Sequence, residues 1–520
     1  VDNLPLIDVG FGSGHRLEIP NTEFAAAQNN YFLKNLDRWI KASGAPQDRN
    51  RIINMFHYNL YLMQHHFTPV DSDYDDSLDA WLEKTTYTQA DKERLRQTIV
   101  DDPVLTKKHL KCKCFVKAES YPEYKPLRPI KSRTDRFKAE VGPKFHAVNE
   151  VLFKHPEFIK KIPVNERPAY IKNLLGWAQK FSCTDFSKYE SHFVQLILNT
   201  IEIPFYDFCV HKIPTGKSFI KLIRNAMTSP QQFVFKFFTS TMNATRASGE
   251  MCTSSGNGYT NFFLFHYISE CRGAMKATGV FEGDDGLTTT MPVSSMPTSN
   301  DYAYLGFNCK METVGCFSHA SFCGLVADED ELINVCDIRK TICDLGWTCD
   351  PYVDANENTL LALLRAKGFS LVYQYPGCPV LDALGHHILR LTDEPTIIAK
   401  FNKINMKVRD QYKFELLQNA IAYVRDKRPQ RISAGMKTRV LVEHLYGVAV
   451  SQQLRIEEYF DTQTVLAPFH FEMNVPDLWI DNFHSYTRPT KEFHYLNEPH
   501  SLLDNIEKFS RFGIRQAWNL

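Results

Sequence analysis

The 520 residues carry 60 Lys+Arg against 60 Asp+Glu, with 43% hydrophobic and 23% charged residues, 24 Gly and 26 Pro. This composition excludes a disordered, collagen-like or low-complexity chain, and the length predicts two to four lobes rather than one core. No run approaches 18 uninterrupted apolar residues, so no membrane span is expected within the chain. It starts at Val1 without a Met or a leader-like pattern, as expected of a cleaved or excised part of something longer, with any anchor lying outside it.

In chain order, the first hundred residues read as mostly helical, with Asn21 as a cap before a helix over 22–40 and helix formers dense over 91–99. Residues 110–133 are basic and contain Pro122, Pro126 and Pro129, which predicts extended strands and loop. Next comes a short strand, Phe181-Ser-Cys-Thr-Asp-Phe186, and then a helix with Phe193, Leu196, Ile197 and Ile201 on one face. The small-residue run at 248–257 precedes a second helix, with Tyr259, Phe262, Phe263 and Tyr267 along one side. Strands at 279–282 and 287–290 flank Gly283-Asp284-Asp285-Gly286, which reads as a hairpin with glycines at its turn. The last 170 residues look largely helical and carry no motif that suggests chemistry.

The thirteen cysteines are odd in number and lack paired C-x2-C spacing, which predicts buried, reduced thiols rather than disulfides or a structural zinc site. Charge is unevenly placed despite its zero sum. Residues 106–144 hold 12 Lys/Arg against 4 Asp/Glu, and residues 400–439 hold 11 against 3, while acid gathers at 71–76 and 328–331. Two basic segments flanking an acid-containing middle suit a phosphate-bearing substrate and a catalytic cation.

The chemistry concentrates in that middle. Adjacent carboxylates Asp284 and Asp285 on a glycine-flanked turn form an oxygen-rich pole for a hard divalent cation. Asp185 ends a strand 99 residues earlier, and only a fold that sets the two strands side by side lets it share that cation. Ser248-Gly-x3-Thr253-x3-Asn257 offers hydroxyl and amide groups before a helix, suited to a sugar hydroxyl. Lys117 and Arg128 lie on extended segments from which they could clamp a triphosphate, Arg through its bidentate fork.

Taken in order, Val116-Lys117-Ala-Glu with Lys125-Pro-Leu-Arg128, Asp185-x4-Glu190, Ser248-Gly-x3-Thr253-x3-Asn257 and Gly283-Asp-Asp285 form a recognisable set. The set resembles the motifs of RNA-dependent RNA polymerases of positive-strand RNA viruses, in the style of the tombusvirus and nodavirus side of that group. Leu305-Gly-Phe-Asn-Cys-Lys310 and Phe322-Cys323-Gly324 fall where that family has its two later palm motifs. The resemblance covers residues 111–325, and the motif order is the unpermuted one.

The resemblance implies an α+β fold: a closed right hand with fingers, a βαββαβ palm and a helical thumb. On that basis residues 1–177 form an N-terminal extension and fingers, 178–200 and 246–334 the palm, 201–245 a fingers insertion and 335–520 the thumb. The implied activity is template-directed RNA synthesis by two-metal nucleotidyl transfer from ribonucleoside triphosphates, in replication of a viral genome. Asp185 and Asp284 are the implied ligands of two Mg²⁺ ions, with Mn²⁺ a substitute, and Asp285 an auxiliary carboxylate. Lys117 and Arg128 are implied to hold the triphosphate, and Lys310 to protonate pyrophosphate. Reverse transcriptases carry a bulky aromatic five residues after the first Asp. Here that position is Glu190, an acceptor, which points to ribonucleotides, with Ser248, Thr253 and Asn257 completing the hydrogen bonds around the ribose. The family usually has Asp where this chain has Glu190, so the carboxylate sits about one bond length farther out. Implied partners are template and product RNA and other viral replication proteins, with the host cytoplasm, at a replication complex, as the location. The basic run at 106–144 is expected to line the nucleotide channel, and that at 400–439 to touch the RNA backbone.

Overall fold

The computed structural model describes residues 6–8, 16–18, 22–43, 47–117, 128–343, 345, 352, 355–405, 411–465, 473 and 475. The chain divides into two compact units, Val1–Phe115 with Pro129–Ala327, and Val116–Arg128 with Asp328–Leu520. Helices dominate both, and strands form small sheets, so the fold is α+β.

In the first unit, a short antiparallel pair, β1 (Leu6–Asp8) and β2 (Arg16–Glu18), precedes α1 (Glu23–Ala42), α2 (Arg49–His66), α3 (Leu78–Lys84) and α4 (Gln89–Asp101). The side chains of Thr22, Asp48, Ser77 and Thr88 accept the orphan N–H groups at the four helix starts. The first cap is therefore Thr22 and not Asn21. Thr22 is the extended residue directly before the first turn, and its hydroxyl reaches the Ala25 N–H. Asn21 itself lies outside the described residues.

The basic segment forms β3 (Cys112–Val116) and β4 (Pro129–Arg133), with 118–127 outside the described residues. Then follow α5 (Asp135–Leu152), α6 (Arg167–Leu175) and β5 (Phe181–Phe186). The helix expected after β5 is broken. Phe193 adopts a non-helical φ/ψ of −79°/63°, a short α7 (Gln195–Ile197) runs into a π-helical turn, Leu198–Glu202, and α8 (Ile203–Val210) follows. Pro204 in the first turn of α8 has no N–H to give back to the preceding turn. The Asn59 amide from α2 fills that role, donating to the carbonyls of Thr200 (3.0 Å) and Ile201 (2.8 Å).

Beyond α9 (Gly216–Thr228), β6 (Gln231–Val234) and β7 (Thr239–Met242) complete a sheet of order β4-β3-β6-β7. The next elements are α10 (Thr253–Cys271), β8 (Lys276–Glu282), β9 (Asp285–Met291), α11 (Ser299–Tyr304) and β10 (Cys309–Val314). The second sheet has order β10-β5-β9-β8 with every neighbour antiparallel. With α10 and α11 as crossovers this is a β-α-β-β-α-β unit, its fourth, first, third and second strands side by side. The spacing of Tyr259, Phe262, Phe263 and Tyr267 predicts one apolar side for α10, yet the helix is buried on nearly all sides. Its residues from Ser255 to Ser269 are enclosed, and Tyr259 stacks on Phe205 at 3.6 Å. A helix so wrapped is a central strut, and its aromatic content reflects burial all round rather than amphipathicity.

The second unit is helical: α12 (Ile338–Cys343), α13 (Glu357–Gln374), α14 (Leu381–Leu391), α15 (Pro395–Asn405), α16 (Gln411–Lys427), α17 (Met436–Tyr446) and α18 (Val450–Thr462). Glu457 of α18 accepts from Arg431 (2.8 Å), Arg439 (2.9 Å) and the Val380 N–H (2.8 Å). Arg431 and Arg439 of the 400–439 run are thus structural cations, while Arg425 pairs with Asp426 and Lys437 with Asp330. Among the described residues, no helix is long and apolar enough to cross a membrane, and all twelve described cysteines are unbridged.

Candidate functional site

Strand register brings the acidic residues together. Asp185 on β5 pairs across with Lys310 on β10, and Glu282 on β8 pairs with Asp285 on β9. The β5–β9 ladder runs through Ser182↔Thr288 and Cys183↔Leu287 to Thr184↔Gly286, so one further step sets Asp185 beside Asp285. Directly opposed residues share a face of the sheet, with Cα atoms about 5 Å apart. Lys310, Asp185, Asp285 and Glu282 therefore form one row across four strands.

Asp284 stands at the tip of the β8–β9 hairpin, in the two-residue loop Gly283-Asp284. Gly283 has φ +66°, the glycine-first pattern of a II′ hairpin turn. The Asp284 carbonyl accepts from the Asn261 side-chain amide of α10 at 2.9 Å, which fixes the turn against the central helix.

Charge crowding is legible in the titration of the row. Partial withdrawal from water, then the charge of Asp284, push the Asp285 carboxyl up to about 6, with Glu282 and Asp185 adding to the effect and a hydrogen bond from Cys323 opposing it. Glu282 is held by Arg167 at 2.9 Å, with the guanidinium almost wholly enclosed. Lys310 and Arg167 thus flank the row, and acid fills its centre.

Mg²⁺ takes one or two protein carboxylates and completes its octahedron with water and substrate phosphates. The open, all-oxygen set of Asp185, Asp284 and Asp285 suits that mode. Among the described residues, no group of three His, Cys, Asp or Glu side chains stands as a ready-made metal cage.

The expected sugar-binding residues gather around one loop. The Glu190 carbonyl accepts from the Thr245 hydroxyl (3.0 Å) and the Arg246 N–H (3.3 Å), which ties the turn after β5 to the approach to Ser248. The Ser248 carbonyl accepts from the Lys131 N–H at 2.6 Å, joining the loop to β4. The Thr253 hydroxyl is engaged within the loop, donating to the Ala247 carbonyl and accepting from the Gly249 N–H, each at 3.3 Å. Asn257 is only 3% exposed; its carbonyl accepts from Tyr189 and its Oδ1 has no partner. Ser248 and Glu190 are half-buried and reachable, whereas Thr253 and Asn257 first hold the loop in shape.

Lys117 and Arg128 belong to the second unit, both exposed, with the Lys117 N–H donating to the Arg128 carbonyl at 2.8 Å. Several other cations of the 106–144 run are internal. Arg133 is 4% exposed and reaches the Glu250 carboxylate, the Ala226 carbonyl (3.0 Å) and Gln231 (2.6 Å). Arg136 holds the carbonyls of Asp102 and Pro103, and Lys144 pairs with Asp76.

Sequence reasoning missed two supporting ion pairs. Arg133 with Glu250 clamps the loop from the β4 side. Arg246 with Glu202 clamps it from below, both side chains being 0% exposed. Arg246 also donates to the Cys252 carbonyl and Sγ, and Glu202 accepts from Tyr206. The available signals were positional: Arg133 closes the Lys125-Pro-Leu-Arg-Pro-Ile-Lys-Ser-Arg133 run, and Arg246 stands two residues before Ser248. A scan of family models gives no match to the chain, and a search of curated proteins gives none either.

Proposed function

We propose that the chain is an RNA-dependent RNA polymerase of the positive-strand RNA virus type, building RNA on an RNA template from ribonucleoside triphosphates. In this reading the β10-β5-β9-β8 unit with α7 is the palm, α1 to α6, α8 and α9 with the β4-β3-β6-β7 sheet supply the N-terminal extension and fingers, and α12 to α18 supply the thumb of a closed right hand. The observation that carries it is the register: motifs 99 residues apart in sequence lie on neighbouring central strands, with Asp185 beside Asp285 and the Asp284 turn at their end.

Asp185 and Asp284 would hold the Mg²⁺ ions, with Mn²⁺ as substitute and Asp285 auxiliary. Bound there, the ions would lower the pKa of a 3′-hydroxyl and neutralise the departing pyrophosphate. Lys310, across from Asp185, is the group assigned to give pyrophosphate its proton. Lys117 and Arg128 are assigned to the triphosphate, and Glu190 and Ser248 to the ribose, with Thr253 and Asn257 shaping the loop that presents them. Template and product RNA, and other proteins of a viral replication complex in the host cytoplasm, are the partners this activity requires.

The test is incorporation of labelled ribonucleotides on a defined RNA template, with and without a primer, in Mg²⁺ or Mn²⁺. The wild-type chain should extend RNA with NTPs and discriminate against dNTPs, and Asp284→Asn should remain folded and be inactive. Incorporation by Asp284→Asn with unchanged Mg²⁺ dependence would overturn the metal assignment. Preference for dNTPs would make the enzyme a reverse transcriptase instead.

A further inference from the structure

A cleft elsewhere in the first unit shares no lining residue with the acidic row. Helices α1 and α9 flank this open cleft of about 630 Å³, within the range of pockets that hold small ligands. Lys217, Lys221 and Arg224 line it from α9 at positions i, i+4 and i+7, one face of the helix spanning about 10 Å. Arg38 contributes from α1. Against these four cations the cleft holds one acid, Asp207, already engaged by Gln28 at 2.6 Å.

Arg38 donates to Asn35 at 3.1 Å, and Arg224 faces Asp207 and Tyr31. Lys217 and Lys221 are exposed and make no hydrogen bond or ion pair with any described residue. The Nε of Arg224 is buried without a partner, and its guanidinium lies 4.3 Å over the Tyr31 ring. Burial lowers the Arg224 pKa, with Tyr31 and Asp207 acting against that shift. Tyr31, 38% exposed, adds aromatic surface, with Trp39 buried behind it, and the side-chain amide of Asn225 adds hydrogen-bonding capacity.

We propose that this cleft binds a nucleoside polyphosphate at a site separate from the one assigned to catalysis. Three cations along one helix face, with a fourth opposite, match the charge of a triphosphate. The exposed part of Tyr31 and the Asn225 amide suit a base. The limited volume matches one nucleotide better than a strand of RNA.

The experiment is a titration of the full chain with a fluorescent N-methylanthraniloyl ATP in EDTA, followed by anisotropy. Saturable binding is expected. It should weaken at least about tenfold in the Lys217→Glu/Lys221→Glu variant, and likewise in Arg38→Glu on the opposite helix; all three side chains are exposed, so folding should survive. Asp284→Asn should bind as the wild type does, which separates this site from the catalytic assignment and leaves the result independent of polymerase activity. ATP should displace the probe better than tripolyphosphate, and adenosine should fail. Unchanged affinity in both charge-reversal variants would overturn the proposal, as would equal loss in Asp284→Asn. Tripolyphosphate competing as well as ATP would remove the nucleoside from it. Displacement by a short oligoribonucleotide at far lower concentration than ATP would make the cleft an RNA track and overturn it too.

Discussion

The Glu202–Arg246 pair offers the most direct physical test of how the loop at 248–257 is held. Neither side chain is exposed. Burial pushes the Glu202 carboxyl up while Arg246 pulls against that shift. Burial likewise opposes the Arg246 charge, but Glu202 together with Cys252, Tyr206 and Glu250 outweighs it and holds the guanidinium above its ordinary value. Glu202→Gln keeps the shape and deletes one charge, leaving a guanidinium enclosed over the Phe193 ring with no counter-ion. Breaking a buried pair from one side costs about 3–5 kcal/mol, a large share of the roughly 5–15 kcal/mol that holds a typical domain together. Replacing both members, as in Glu202→Leu/Arg246→Met, should recover most of the loss, because the solvation penalty of both ions disappears with them. The assay is urea unfolding followed by Trp fluorescence, with Trp39, Trp81 and Trp177 reporting from the same unit. Strong non-additivity in the cycle is the expected result. A single-variant cost below about 1 kcal/mol, or a double variant equal to the sum of the singles, would refute the reasoning.

Three further outcomes follow from neighbouring groups. A Cβ on Gly256 would sit 2.5 Å from Glu202 Oε1 and from the Tyr206 hydroxyl, so Gly256→Ala should cost about 1–3 kcal/mol as overpacking; an unchanged melting temperature would contradict the contact. The Asp285 carboxyl titrates near 6 in the folded chain against about 3.9 unfolded. Its contribution therefore favours the fold at low pH and is lost as pH rises through that interval. In EDTA, Asp285→Asn should stabilise the protein at pH 7 and leave it unchanged near pH 4, and equal stability of the two proteins at both values would refute the crowding. Burial lowers His57 to about 4, and the ring is hydrogen-bonded to Asn29 at 2.9 Å. Its stabilising contribution is present above about 6.5 and lost on the way to pH 4, by as much as about 3 kcal/mol. A His57→Gln variant should lose that part of the acid-side slope, and an unchanged stability–pH profile would sink the assignment.

The hairpin was legible because its information is local: alternating β-formers on either side of glycines predict both strands and turn, and β8 and β9 merely run longer than expected. Asp185 was legible for the same reason, as the penultimate residue of a short β-branched and aromatic run. What local pattern could not supply was register. Nothing between residues 186 and 284 states that β5 inserts between β9 and β10; that follows only once α10 is buried as a strut and the crossovers close. The broken helix after β5 was missed because Phe193, Leu196 and Ile197 keep helical spacing even though the backbone changes form at Phe193. The π-helical turn and Pro204 that follow leave the Thr200 and Ile201 carbonyls to be satisfied at a distance by Asn59, which no periodicity could announce. The basic run at 106–144 was read by sign alone, and sign does not distinguish the exposed Lys117 and Arg128 from the enclosed Arg133 and Arg136.

The distribution of ion pairs around the sheet explains how such a site tolerates its own repulsion. Like charges on directly opposed strand residues are destabilising, so a row of them is stable only in a frame that does not yield. The frame here is built of arginines: Arg167 on Glu282 at one end of the row, Arg133 on Glu250 and Arg246 on Glu202 at the adjoining loop. Each neutralises an acid other than Asp185, Asp284 and Asp285. At the centre, Asp185 and Asp285 stand on adjacent strands, and the charges acting on Asp285 are those of Asp284, Glu282 and Asp185. On the proposed function, cations at both ends and concentrated acid in the middle are what an exchangeable divalent cation would require. A lysine or arginine packed into the centre would quiet the repulsion permanently and, on that same reading, would take the coordination site of the proposed ion. The negative charge of the row is thus concentrated where the proposed ion would relieve it.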